Sequence, residues 1–357
     1  MRILDIQTKK VTLKGRKVFK SAFDLNDSLE TVYVKILTDI GLYGLGEACP
    51  LTTVTGETVD GVIAAIEFMK ERLVGENPEE IEIIHEIMDN IIVGNTSAKA
   101  AVDMACYDIM GKSAGMPVHK LIGATKASLV TDATIGIDYP DIMINEAVRL
   151  VNAGFRVLKI KCGVTPDTDY TIVKRIREAV GDKVHIRIDA NQAYTIDTAK
   201  SSLEEMLKIG IKEVEQPLPA WDIDGMAEVK KNTDVTLMID EGVHTPEQAL
   251  VACWHDACDV INIKLMKCGG IYPALRICEI AESYGKTCMI GCMTESKLGI
   301  SAAAAVAVTK DNIKYIDLDS YLSFSDDSDG VQGGFETIKD MIVLSDKAGL
   351  GFEEYEF

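Results

Sequence analysis

Basic residues are scarce in this chain of 357 residues: 37 lysines and arginines face 56 acids, a formal charge of −19, and no Lys/Arg run occurs. Binding to a phosphate backbone needs concentrated positive surface, so no nucleic-acid partner is expected. A cationic or zwitterionic small molecule fits this charge better. Long apolar runs are missing as well. The N-terminus MRILDIQTKK has no apolar signal core, and SAAAAVAV, from Ser301, is too short to cross a bilayer. No membrane association is expected, and the chain reads as a soluble cytoplasmic protein. Nine cysteines form no C-x-x-C pair and five histidines no H-x-x-x-H pair. That pattern suits buried, reduced thiols and speaks against a disulfide framework or a zinc site.

What is present is a rhythm. From about Ser128 onward, short β-branched runs alternate with amphipathic stretches, the signature of βα units. The strand candidates are LVTDATIGI, FRVLKIK, VHIRIDA, IKEVEQP, VTLMIDE, DVINIKL, KTCMIGC and IKYIDLD. Eight of them suggest a closed barrel; an open doubly wound sheet would show a glycine-rich phosphate turn. Gly154, Gly181, Gly210 and Gly285 each precede a strand, as left-handed helix caps do. The first part of the chain differs: TVYVKILTDIGLYGLGEA reads as a hairpin turning at Gly41, and helical stretches follow it. The expected organisation is an α+β unit over residues 1–125, a barrel over 126–320, and a segment over 321–357 that returns to the first unit.

Charge inside that barrel is the functional signal. Lys161, Asp189, Glu215, Asp240 and Lys264 recur at matching positions near the C-terminal ends of successive strands, one βα unit apart. Barrel interiors are normally filled by Val, Ile and Leu, and chemistry sits at the C-terminal mouth. Three carboxylates from neighbouring strands form a hard oxygen cluster suited to Mg²⁺. Interior salt bridges with the flanking lysines are the structural alternative, and desolvation leaves such a network little stabilising value. Removing one acid of the trio is then expected to relieve repulsion and raise the stability of the metal-free chain. Lys161 precedes the trio by one strand and Lys264 follows it by one, so the two would approach a bound molecule from opposite sides. Lys159 shares the face of Lys161 at period two. Its charge would disfavour protonation of Lys161 and free that amine to act as a base.

The segments KIK, DANQ, VEQP, IDE and INIKLMKCGGI resemble the enolase superfamily, in its muconate-lactonizing branch, across essentially the whole chain. The resemblance implies an α/β fold, a modified (β/α)8 TIM-type barrel with an N-terminal α+β capping domain. It further implies Mg²⁺ held by Asp189, Glu215 and Asp240, Lys161 and Lys264 as acid/base pair, and Lys159 as their electrostatic neighbour. In that superfamily a lysine base works with Mg²⁺ stabilising an enediolate. Abstraction on one face and return on the other makes a racemase or epimerase; cycloisomerases and o-succinylbenzoate synthases share the same core residues.

YIDLDS separates these activities. Asp317 and Asp319 share one parity of the last strand, where no further metal ligand is needed, and their natural partner is a cation. This D-x-D, with TGET from Thr55, is similar to the dipeptide epimerases, where it grips the α-ammonium group of the substrate. By the same resemblance Thr134 and Cys292 line the substrate cleft, and the loop VFKSAFDLNDS contacts the C-terminal side chain. Relatives acting on L-Ala-D/L-Glu carry arginine where this chain has Asp24. An acid there disfavours a glutamate side chain and suits a basic one, although Lys20 could neutralise it. The expected substrate is an L-Ala-L-Xaa dipeptide with non-acidic Xaa, with L-Ala-L-Glu as the alternative and a non-enzymatic ligand-binding barrel as the remaining one. The oligomeric state is left open, a homo-oligomer included.

Overall fold

Val32, Val34 and Ile36 alternate along one strand and put a buried apolar face against three helices. The computed structural model describes residues 1–20, 25–325 and 329–357, so Asp24 lies outside the described residues. β1 (Ile3–Lys20), β2 (Leu25–Thr38) and β3 (Tyr43–Ala48) form an antiparallel sheet in that order, with Gly41 in the turn before β3 at φ 82°. α1 (Val59–Leu73), α2 (Ile81–Ile91) and α3 (Thr96–Ala114) cover it, followed by the single turn α4 (Val118–Leu121). The helix α3 is buried along most of its length. Its backbone presses on β3 so closely that a Cβ on Gly44 or Gly46 would stand 1.9 Å from the carbonyl oxygen of Ala105 or Ala101.

β4 (Ser128–Val130) then leads to β5 (Ala133–Ile135), the first barrel strand. The βα rhythm continues through α5 (Pro140–Ala153), β6 (Val157–Lys161), α6 (Pro166–Val180), β7 (His185–Asp189), α7 (Ile196–Lys208) and β8 (Glu213–Glu215). It runs on through α8 (Ile223–Lys231), β9 (Thr236–Ile239), α9 (Pro246–Trp254), β10 (Val260–Ile263), the short α10 (Leu265–Cys268) and α11 (Ile271–Ser283). β11 (Thr287–Gly291), α12 (Lys297–Ala307) and β12 (Ile313–Asp317) complete the eight strands, which are parallel and in sequence order. The seam between β12 and β5 is closed by isolated bonds in place of a ladder: Leu318 N–H donates to Thr131 Oγ1 at 2.9 Å, and Thr134 N–H to Asp319 at 2.5 Å.

One strand departs from the sequence-based expectation. The single strand LVTDATIGI is two strands, because the chain changes partner at Thr131: β4 pairs with β14 (Met341–Leu344), itself paired with β13 (Phe335–Ile338), while β5 pairs with β6. After β12 a 3₁₀ turn, Ser320–Ser323, stands where an eighth barrel helix would follow. The C-terminal residues lie on the first sheet, where the Lys9 and Lys35 ammonium groups donate to the carbonyls of Glu356 and Tyr355. Among the described residues no helix is long and apolar enough to cross a membrane.

Carboxylates of the first domain fasten it to the barrel at the N-termini of two barrel helices. Asp103, on α3, accepts from Ile271 N–H at 2.5 Å and Tyr272 N–H at 3.2 Å at the start of α11. This approach requires Gly270, at φ 124°, since a Cβ there would lie 2.3 Å from the Asp103 carboxylate. Glu47, on β3 and fully buried, accepts from Ser296 N–H, Ser296 Oγ and Gly299 N–H at the start of α12, and from Thr31 Oγ1 in its own domain. Unsatisfied N–H groups and the dipole make a helix N-terminus a natural seat for an anion. Glu47→Ala orphans three buried donors, Thr31 Oγ1 keeping the Ala48 carbonyl, so it is expected to lower unfolding stability by roughly 3 kcal/mol or more, read as a lower midpoint in denaturant; an unchanged midpoint would show that the two domains are held elsewhere.

Candidate active site

The barrel strands bring the five recurring charges to one mouth in strand order. Lys161 and Asp189 end β6 and β7 as direct neighbours, and Asp189 pairs with Glu215 at the end of β8. Asp240 and Lys264 follow β9 and β10 by one residue. All five are buried or nearly so. Leu158 and Ile160, the intervening residues of β6, belong to the apolar core, so the period-two alternation accounts for both faces of this strand.

Ion pairs hold every acid of the trio. The Lys159 ammonium, 1% exposed, stands 2.7 Å from Asp317, 2.8 Å from Glu215 and 3.0 Å from Asp189. Lys161 Nζ lies 2.7 Å from Asp189, Lys264 Nζ 2.8 Å from Asp240, and Lys267 Nζ 2.6 Å from Asp240. Lys159 is therefore counter-ion to three carboxylates as well as a positive neighbour of Lys161. The carboxylates divide accordingly. Burial disfavours charge on Asp189, but Lys161 and Lys159 outweigh it and bring its pKa down to about 2. Burial also opposes charge on Asp240, where Lys264 and Lys267 win and hold it well below the usual carboxylate range. Glu215 is pushed up to about 7, by burial first and by Asp189 second, despite the ammonium of Lys159 beside it. For Lys159 and Lys264 burial favours the neutral amine; the surrounding carboxylates, Asp317 foremost for the first and Asp240 for the second, overcome it and keep both as ammonium groups in the metal-free chain.

Asp317 and Asp319 reach the same interior from β12 and the residues just after it. Burial opposes charge on Asp317, and Lys159 more than restores it. Asp319 rises to about 6 through burial and the adjacent Asp317. Thr134, on β5, meets Asp319 through its backbone N–H, and Cys292 is buried one residue past β11, its thiol pushed up by burial and by Asp317. Asp24, the remaining candidate, is among the residues not described.

The structure adds residues that the strand-end rhythm does not pick out. Asp132 joins Asp317 and Asp319; among the described residues these are the three carboxylates whose oxygens all lie within 4.8 Å of one another. Its other partner is Arg187, 3.1 Å away. Asn262 donates to Glu215 at 2.8 Å. Gln216 accepts from Asp240 N–H at 2.8 Å and Gly242 N–H at 3.2 Å, fixing the turn that carries Asp240. Lys267 donates to the carbonyls of Asp240, Val243 and Asn262 and fastens the same turn from below. The barrel parity of Asp132 and Asn262 was legible, but no spacing separates such residues from ordinary interior polar groups.

Asp189, Glu215 and Asp240 have the donor chemistry that a hard dication would take, although the carboxylate oxygens that converge within 4.8 Å among the described residues are those of Asp132, Asp317 and Asp319. The first three supply oxygen donors from three adjacent strands, and Glu215 Oε2 and Asp240 Oδ1 are buried without a hydrogen-bond donor, facing only the ammonium groups of Lys159 and Lys267. Their pairing also reverses one expectation. Because each acid neutralises buried ammonium groups, Asp189→Asn should lower the stability of the metal-free protein by roughly 3 kcal/mol instead of raising it. Thermal unfolding in chelator reads this directly, and a raised midpoint would show that carboxylate repulsion outweighs the ion pairs.

Comparison with known proteins agrees with this frame. Residues 5–123 match the mandelate racemase/muconate lactonizing enzyme N-terminal domain, and residues 143–356 the enolase C-terminal domain-like family. The L-Ala-D/L-Glu epimerase of Clostridium acetobutylicum is 42% identical over 356 residues, covering 99% of each chain. The hydrophobic dipeptide epimerase of Enterococcus faecalis V583 is 41% identical over 98% of this chain and 99% of its own. Crystals of the Enterococcus faecalis V583 dipeptide epimerase complexed with Mg and L-Leu-L-Tyr superpose with a TM-score of 0.96 at 40% identity, over 99% of this chain and 100% of that one. The substrate-liganded L-Ala-D/L-Glu epimerase of Bacillus subtilis gives 0.96 at 38%, over 99% of both. Matched in both domains and along its whole length, the chain belongs to the mandelate racemase/muconate lactonizing enzyme family of the enolase superfamily.

Proposed function

We propose that the protein is a Mg²⁺-dependent dipeptide epimerase, an isomerase that inverts the α-carbon of the C-terminal residue of an L-Ala-L-Xaa substrate. The observation that carries this reading is the pair of lysines, Lys161 and Lys264, on the two flanks of one carboxylate trio. Asp189, Glu215 and Asp240 would hold the metal. When bound, Mg²⁺ polarises the substrate carboxylate and takes up the negative charge that grows on it, more in the transition state than in the ground state.

The remaining steps belong to the chain. One lysine, as neutral amine, forms an N–H bond as the Cα–H bond breaks, and the released electron pair moves into the carboxylate group. The opposite lysine, as ammonium, delivers its proton to the other face of the carbon. Asp317 and Asp319 hold the α-ammonium of the first residue, Thr134 and Cys292 border the cleft, and Lys159 keeps the interior carboxylates compensated. This use of the D-x-D sets the reading apart from cycloisomerase or o-succinylbenzoate synthase chemistry, which has no ammonium group to place there. Buried, unpaired thiols throughout support a cytoplasmic setting.

For the side chain, Asp24 favours a non-acidic, and best a basic, Xaa, in keeping with a relative that takes hydrophobic dipeptides. The Ala-Glu alternative is favoured by the Clostridium relative. The test is kcat/KM on L-Ala-L-Lys, L-Ala-L-Leu and L-Ala-L-Glu with Mg²⁺, for wild type and Asp24→Arg. Wild type should prefer Lys or Leu, and Asp24→Arg should shift preference toward Glu by about tenfold, near 1.4 kcal/mol. Preference of the wild type for Ala-Glu would overturn the side-chain assignment, and full activity in excess chelator would overturn the metal-dependent scheme.

A further inference from the structure

The ammonium of Lys161 has two acceptors among the described residues: Asp189 Oδ2 at 2.7 Å and Asn191 Oδ1 at 3.1 Å. A neutral lysine amine carries two hydrogens and one lone pair. If both hydrogens are committed to these acceptors, the lone pair has a single direction left. A free amine spins about its Cε–Nζ bond and spreads that lone pair over three orientations, so a second fixed acceptor is a device for aiming a base.

Asn191 is itself aimed. Its amide Nδ2 donates to Glu241 Oε1 at 3.2 Å, and this contact decides which end of the amide faces Lys161, since only the oxygen can accept from an ammonium. Its backbone N–H donates to Asp189 Oδ1 at 3.0 Å, and the residue is held at φ 41°, a left-handed conformation that asparagine tolerates better than most side chains. Asn191 and Glu241 are each 8% exposed, and Glu241 Oε2 accepts no hydrogen bond. The carboxylate thus spends one oxygen on the amide of Asn191. Lys264 has no matching amide among the described residues; its ammonium lies 2.8 Å from Asp240.

We infer that Asn191, locked by Glu241, is a positioning residue for Lys161 alone, so that the two proton-transfer faces of the site are oriented by different means. The inference rests on the two-base reading above. It requires that loss of the Asn191 amide slow abstraction from one epimer and spare the other. A residue needed only for the fold or for the metal would affect both.

The experiment follows α-proton exchange into D₂O by ¹H NMR, with Mg²⁺, starting separately from L-Ala-L-Leu and L-Ala-D-Leu, with the L-Ala-L-Glu and L-Ala-D-Glu pair in parallel. Lys161→Ala identifies the epimer that Lys161 serves. Asn191→Gly removes the amide and keeps the left-handed backbone free of strain. It should slow exchange of that same epimer by roughly ten- to a hundredfold, with exchange of the other epimer, KM and Mn²⁺ affinity measured by EPR unchanged. Glu241→Ala, which leaves Asn191 in place but frees its amide, should produce the same one-sided loss to a smaller degree. With both epimers exchanging in wild type, equal slowing of both in Asn191→Gly, or no slowing of either, overturns the inference and leaves the two-base reading standing. Equal loss of both epimers in Lys161→Ala, or a wild type that exchanges neither, overturns the two-base reading and the inference with it.

Discussion

An ammonium group with no access to water organises the interior of this barrel. Lys159 sits at the centre of β6, and its charge is tolerable only because three carboxylates from three strands converge on it. The dependence runs both ways. Asp189, Glu215 and Asp317 could not be packed so closely without a cation between them. The arrangement keeps Asp189 and Asp317 charged and holds Glu215 beside them in a low-dielectric space, the condition that the proposed use of these acids, by a metal on one side and a substrate cation on the other, requires. Glu215, pushed up to about 7, is the acid least secured by lysines and the one for which an arriving dication changes most.

The first domain extends this logic to the mouth of the barrel. Glu47 and Asp103 grip the N-termini of α12 and α11, the helices after and before β11. The first domain is thereby fixed to the elements next to Lys264 and Cys292, and its attachment does not rest on loops alone. Such anchoring matters because proton transfer at carbon tolerates little error in the placement of the base.

The barrel and its strand-end charges were legible because they repeat. A βα period sets the strands in order, and the same period lines up Lys161, Asp189, Glu215, Asp240 and Lys264, so one register error would have broken the whole series. Residues that act singly left no such trace. Asn191 and Glu241 sit in turns just beyond strand ends, where a left-handed φ or a shared hydrogen bond has no periodicity to betray it. Asp132 has the inward parity of a barrel strand, yet its partners Arg187 and Asp317 come from strands distant in sequence. The same long-range pairing explains why LVTDATIGI looked like one strand: only the approach of β14, more than two hundred residues later, divides it. In the sequence, interior ion pairs are the structural alternative to a metal site; the structure shows those ion pairs, made by the same three acids that the proposed metal would need.

That dual role is most directly tested by removing the central charge. Thermal unfolding of Lys159→Met, which keeps an unbranched four-atom stem and removes the ammonium, is to be compared with wild type in chelator and in Mg²⁺. The metal-free variant should melt well below wild type, and Mg²⁺ should raise its midpoint by more than it raises that of wild type, because the dication then compensates carboxylates that have lost their lysine. Equal midpoints in chelator, together with equal shifts in Mg²⁺, would contradict the claim that Lys159 holds the acids of this site together.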